Sequence, residues 1–142
     1  MGVLQIVSDG PRAGKTCLAG GLLALLAETG QQASYYKPFS QTPENDPDLS
    51  FVSRHFLGSP DATGAPGTPG VPAPLPLPLV AAFGPPLGER LGSHIRKEVG
   101  GIQEKASLVV MESPDLTAFP GAPAFLSELS ASLDSVVVLL FR

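Results

Sequence analysis

The first 28 residues place three features in an order that strongly limits the fold: an apolar run, a loop containing Gly and Pro, and a second, leucine-rich run. Residues 3–8 predict a buried strand, and residues 15–28 predict a largely buried helix. The loop between them ends in Gly14-Lys15-Thr16. A strand, a loop and a helix in that order are typical of a phosphate-binding loop, because backbone N–H groups and the dipole at the helix N-terminus favour negative charge.

The residues of this loop and of the helix start have expected roles. Lys15 is expected to reach the β- and γ-phosphates of a nucleotide, and the Thr16 hydroxyl to bind Mg²⁺. Gly14 lets the backbone approach a phosphate oxygen that a side chain would block. Asp9 stands where the G-x-x-x-x-G-K-[ST] pattern has its first glycine, so a capped turn without a ligand is the alternative. The residues predicted to bind the nucleotide are Gly10, Arg12, Ala13, Gly14, Lys15, Thr16 and Cys17.

Apolar runs alternate with helical patterns along the rest of the chain. Further strands are predicted at residues 33–37, 107–112 and 135–141. Further helices are predicted after the cap Asp46, at 87–104 with or without a break at Gly100-Gly101, and around 125–133. Strands this apolar indicate a mostly parallel sheet covered on both faces by helices. The predicted fold is a single α/β domain over residues 1–142, a three-layer P-loop NTPase sandwich.

The expected strand order is 33–37, 107–112, 3–8, 135–141, because in P-loop proteins of this class the strand that bears an acid lies beside the P-loop strand. The chain stops directly after the last of these strands. No later strand covers that edge, and uncovered apolar edges tend to pair. We therefore expect a truncated domain that either has a C-terminal continuation or forms a homodimer.

Residues 58–88 interrupt the alternation with nine prolines and six glycines, which prevent a regular helix or a central strand. We expect a long irregular connection across the domain, because Leu75, Leu77, Leu79 and Val80 are apolar enough to bury. An extended, polyproline-like segment that docks to a partner is the alternative.

Composition excludes several classes of function. The net charge of −4 and the pI near 5.0 argue against nonspecific binding to nucleic acid or to membranes. The sequence contains no run of about 18 apolar residues, so it predicts no membrane span. Cys17 is the single cysteine, so no intrachain disulfide can form, which fits a cytoplasmic protein. We expect Cys17 itself to be a small buried hydrophobic residue.

Charged residues follow two of the predicted strands. Lys37 ends one strand and Glu112 ends another, and ligands of open parallel sheets lie beyond the carboxyl ends of the strands. Glu112 could hold Mg²⁺ directly or through water, as could Asp48 in the first turn of the helix that Asp46 caps. The alternatives are solvated strand ends for Lys37 and Glu112, and a helix cap alone for Asp46. The predicted metal-binding residues are Thr16, Asp48 and Glu112, and the predicted catalytic residues are Lys15 and Lys37.

Four segments together resemble dethiobiotin synthetase, and still more the related domain at the N-terminus of some phosphate acetyltransferases: SDGPRAGKT, YYKPF, NDPDLSFV and VVMESPDL. The resemblance implies a parallel sheet that binds ATP and Mg²⁺. By motif position it gives Lys15 and Thr16 the phosphate and metal roles, and Lys37 the lysine near the substrate. Asp48 and Glu112 match the metal-binding aspartate and the strand-end carboxylate.

Departures from this family separate three functions. Ser113-Pro114-Asp115 replaces glycines that approach substrate in the synthetase, which closes a cyclic urea from a diamine, CO₂ and ATP. We therefore expect an ATP–Mg²⁺-binding domain with regulatory or weak hydrolytic activity. The alternatives are an ATP-dependent carboxylase or cyclo-ligase with a small-molecule acceptor, and a non-catalytic interaction module whose P-loop is degenerate.

Overall fold

The structure, a computed structural model, describes residues 2–57, 72–77 and 87–142, with side chains from residue 89 in the last range. The described strands and helices alternate along the chain, except that the second strand is followed directly by the third. In chain order they are β1 (Gly2–Ser8), α1 (Lys15–Glu28), β2 (Ala33–Tyr36), β3 (Phe39–Ser40), α2 (Pro47–Phe56), β4 (Leu75–Pro76), α3 (Leu87–Gln103), β5 (Leu108–Glu112), α4 (Ala122–Leu133) and β6 (Val136–Leu140).

Four of the strands form one parallel sheet in the order β2-β5-β1-β6. This confirms the predicted α/β class, the parallel sheet and the strand order. Helices α1 and α2 pack on one face, where Leu23 and Val52 meet Ile6. Helices α3 and α4 pack on the other face, where Ile95 and Leu129 meet Val109. The sheet therefore lies between two helical layers.

The register of the sheet brings the chemically interesting strand ends together. Ile6 of β1 pairs with Glu112 of β5, so Glu112 ends its strand just before the loop that follows Ser8. Tyr36 of β2 pairs with Met111, which places Lys37 beside Glu112 at the same edge. The carboxyl ends of three neighbouring strands thus border one region, as parallel strands require.

Local signals set the ends of two helices. Asp46 caps α2 by accepting a hydrogen bond from the backbone N–H of Leu49 at 2.9 Å, and Pro47 opens the helix. Gly30 follows α1 with a φ of +74°, a conformation that suits glycine. Helix α3 runs through Gly100-Gly101, so the alternative of a break there is wrong.

A second, two-stranded sheet pairs β3 with β4, which the sequence does not predict. The backbone N–H of Leu75 donates to the Pro38 carbonyl at 2.8 Å, next to the paired residues. Leu77 of the proline-rich connection is buried in the core as expected, whereas Leu75 is only partly buried against it. The predictions for Leu79, Val80 and the remainder of that connection lie outside the described residues.

Three predictions of burial are wrong. The sequence predicts that β6 is covered on both faces, yet Val136 and Val137 are 66% and 46% exposed, because the described helices pack mainly against β1, β2 and β5. Helix α1 is half exposed, with Leu25 in solvent at 56%. Cys17 is exposed too, since two residues turn a helix by about 200° and so place it opposite the buried Ala19.

Candidate functional site

The loop between β1 and α1 (residues 9–14) has a backbone shaped by two positive φ angles. Gly14, with a φ of +89°, precedes α1 as its N-cap residue. Because glycine has no side chain, it leaves the N–H groups of the first helical turn uncapped. Arg12 also has a positive φ, of 60°. The Asp9 carboxylate accepts a hydrogen bond from the backbone N–H of Arg142 at 3.3 Å, which turns it toward the end of β6.

Lys15 folds back over this loop. Its Nζ donates to the Ser8 hydroxyl at 2.9 Å, and that hydroxyl donates to the Gly10 carbonyl at 2.7 Å. Among the described residues, Lys15 makes no ion pair with a carboxylate. Its charge is therefore held at the loop without an acid to neutralise it.

Glu112 is buried, and two hydroxyl groups hold its carboxylate. Thr16 Oγ1 donates to Oε1 at 2.9 Å, and the Tyr35 hydroxyl donates to Oε2 at 2.6 Å. Burial raises the pKa of Glu112, while the hydrogen bond from Tyr35 and the charge of Lys37 oppose that rise. Burial also raises the pKa of Tyr35 well above its ordinary value, and the charge of Glu112 adds to the rise. The phenol is therefore a donor at neutral pH.

Lys37 pairs with two aspartates, one that caps α2 and one in its first turn. Its Nζ lies 2.9 Å from an oxygen of Asp46 and 2.7 Å from an oxygen of Asp48. Burial lowers the pKa of Lys37, but hydrogen bonds to Asp48 and Asp46 outweigh it, so the net pKa is raised. Burial likewise raises the pKa of Asp46, but the Ser40 hydroxyl, the Leu49 N–H and Lys37 outweigh it and lower the net pKa. Lys37 and Asp46 therefore remain charged.

A cavity of about 220 Å³ opens between these groups. The charged side chains that line it are Arg12, Lys15, Lys37, Asp48, Glu112 and Asp115. Ser113 also lines it, and its buried hydroxyl has no partner in the described part of the chain. A larger cavity, of about 600 Å³, lies between the start of β2 and the end of α3 and contains none of the predicted site residues.

The structure brings most of the predicted site residues together. Thr16 joins the cavity group through Glu112, and Asp48 lines the cavity but is paired with Lys37. Four predicted residues lie in the loop or the first turn without lining the cavity: Gly10, Ala13, Gly14 and Cys17. Sequence reasoning missed Tyr35 and Ser40. A tyrosine two positions before Lys37 in a buried strand was a usable signal, because a buried phenol needs a hydrogen-bond partner.

Other observations bear on metals and membranes. Within the described ranges, no three His, Cys, Asp or Glu side chains are grouped so that they could hold a metal ion alone. None of the helices described is long and apolar enough to cross a membrane.

No model of a known protein family matches the chain, and no curated protein sequence matches it either.

Proposed function

We propose that the chain is a nucleotide-binding domain of the P-loop class, which binds ATP together with Mg²⁺ at the loop of residues 9–14. The observation that carries the proposal is the hydrogen bond from Thr16, in the first turn of α1, to Glu112, at the end of the neighbouring strand. That bond joins the helix start and the strand-end acid, which in this class act on the same cation. Lys15, which makes no ion pair among the described residues, supplies the charge for phosphate.

The oxygen ligands at the site suit Mg²⁺ that is shared with a nucleotide, rather than a metal ion held by protein side chains alone. The Thr16 hydroxyl donates its hydrogen bond to Glu112, so its oxygen lone pairs stay available to a cation. Mg²⁺ is commonly held by one or two carboxylates together with substrate phosphates, which agrees with the lack of a three-acid group in the described ranges. Bound with the nucleotide, Mg²⁺ would neutralise phosphate charge.

Within this class, the dethiobiotin synthetase-like domain is the particular assignment that we propose. Lys37 beside the cavity supports it, as does Asp48 at the start of α2. Lys37 is already paired with two carboxylates, and Ser113 and Pro114 line the cavity where the synthetase has glycines. These features favour a regulatory or weakly hydrolytic domain over a carboxylase or cyclo-ligase. A cytoplasmic location and the absence of a nucleic-acid partner belong to the same proposal.

Lys15→Ala tests the assignment to the P-loop class. Removing the charged contact should weaken ATP–Mg²⁺ binding about ten- to a hundredfold. Lys97→Ala, which removes an exposed lysine of α3, is the matched control and should bind as the unmodified chain does. Calorimetric titration with ATP, with Mg²⁺ or with EDTA, measures both. Equal affinity of the unmodified chain and Lys15→Ala would refute the assignment.

A further inference from the structure

The side chain of Tyr35, on β2, contacts that of Glu112, which lies at a diagonal position on the neighbouring strand β5. Tyr35 of β2 pairs with Val110 of β5, and both side chains lie on the face covered by α1 and α2. Glu112 follows Val110 by two residues, so its side chain leaves the sheet on that same face. Diagonal neighbours are about 7–8 Å apart between their backbones, a distance that a tyrosine spans. The phenol oxygen accordingly lies 2.6 Å from Glu112 Oε2.

Packing alone does not account for this hydroxyl. The Tyr35 side chain is fully buried among apolar residues, where phenylalanine would fill nearly the same volume. A buried hydroxyl lowers stability unless it is hydrogen-bonded, and in the described part of the chain its partner is Glu112. With Thr16 on Oε1 and Tyr35 on Oε2, each oxygen of the carboxylate receives one hydroxyl donor. Together the two bonds fix the direction in which Glu112 points.

We infer that Tyr35 is a positioning residue for the metal–nucleotide site: it holds Glu112 so that the carboxylate stays on Thr16 and faces the cation that arrives with ATP. This role rests on the proposed function. Groups that orient a metal-binding side chain in this way typically change metal affinity about ten- to a hundredfold when they are removed. They leave the contacts of the phosphates with the loop in place.

Tyr35→Phe tests the role, and Tyr36→Phe is its matched control. Tyr36 is the next residue of β2 and is equally buried, but it faces the other helical layer. Mn²⁺ is titrated into each protein at saturating ATP, and ATP binding is measured separately in EDTA. We expect about ten- to a hundredfold weaker Mn²⁺ binding for Tyr35→Phe, with unchanged ATP affinity in EDTA. Tyr36→Phe should match the unmodified chain in both.

A double variant separates positioning from a general loss of structure. If Tyr35 acts through Glu112, then Tyr35→Phe should have no further effect on Mn²⁺ affinity once Glu112→Gln is present. Additive losses would show that Tyr35 acts independently of Glu112 and would overturn the inference. Unchanged Mn²⁺ affinity in Tyr35→Phe would overturn it as well, while leaving the proposed function intact.

A spectroscopic measurement covers the case in which Tyr35→Phe does not fold. The chain has two tyrosines, so incorporation of 3-fluorotyrosine into Tyr36→Phe labels position 35 alone. Its fluorine resonance should shift when Mg²⁺ is added to the ATP complex, and Glu112→Gln should abolish that shift. A resonance whose chemical shift does not change when Mg²⁺ is added would overturn the positioning role. If the unmodified chain shows no metal-dependent ATP binding, both the proposed function and this role fail.

Discussion

Asp46 does two jobs at once. It caps α2 through the Leu49 N–H, and it holds Lys37 beside the cavity with help from the Ser40 hydroxyl. Only 2% of it is exposed, so solvent does not screen these contacts. The helix that carries Asp48 and the lysine near the site are therefore tied to the same carboxylate. Folding of the second helix and the charge pattern of the site depend on one residue.

Asp46→Ala should lower the free energy of unfolding by about 2–3 kcal/mol, because the cap is lost and Ser40 and Lys37 lose a buried partner. Asp46→Asn keeps a good capping side chain, so we expect a smaller loss of about 1 kcal/mol, because hydrogen bonds to a charged group become hydrogen bonds to a neutral one. Urea denaturation of both variants gives the values. A loss below about 0.5 kcal/mol for Asp46→Ala would contradict this account.

At the scale of elements, α1 and α2 approach each other at a glycine. A Cβ added at Gly20 would lie 2.7 Å from Phe56 Cε2, whereas one added at the neighbouring Gly21 would meet nothing within 4 Å. Alanine is favoured over glycine in a helix by about 1 kcal/mol. Gly21→Ala should therefore stabilise the protein by about 0.5–1 kcal/mol.

Gly20→Ala should instead give a net loss of about 1 kcal/mol, because overpacking against Phe56 outweighs the gain in helix propensity. Thermal or urea unfolding compares the two variants directly. Equal stabilisation by both would mean that the ring of Phe56 moves aside freely, and that the close contact does not set the distance between α1 and α2.

The elements that the sequence predicts are those with strong local signals. Long apolar runs locate β1, β5 and β6, and Asp46 with Pro47 locates the start of α2. The pairing of β3 with β4 has no such signal, since each strand has two residues and its partner lies far along the chain. The strand that holds Tyr35 gives a signal for a buried phenol, but not for its partner, because the hydroxyl meets Glu112 across 77 positions of sequence. Ion pairing of Lys37 with Asp48 also depends on tertiary contacts.

At the scale of the whole molecule, the two edges of the central sheet differ. Strand β2 is buried at Tyr35, on the face that α1 and α2 cover, and at Tyr36, on the face that α3 and α4 cover. Strand β6 carries exposed apolar side chains on both faces, with Val136 the more exposed of its first two residues. No described strand pairs with its outer edge. A long apolar edge with no charge along its length favours pairing with another chain.

We expect the 142-residue chain to self-associate through β6, and Val137→Lys to shift it toward the monomer, because a lysine on an edge strand opposes pairing of one edge with another. Leu25→Lys is the matched control, since Leu25 is a comparably exposed apolar residue that lies on α1, away from the sheet edge. Sedimentation velocity over a range of concentrations measures the outcome. A wild-type chain that stays monomeric at every concentration would show that the chain does not self-associate. A Leu25→Lys variant that is as monomeric as Val137→Lys would place the association surface elsewhere. Dissociation by Val137→Lys alone would identify the uncovered edge of β6 as the surface through which copies of the chain meet.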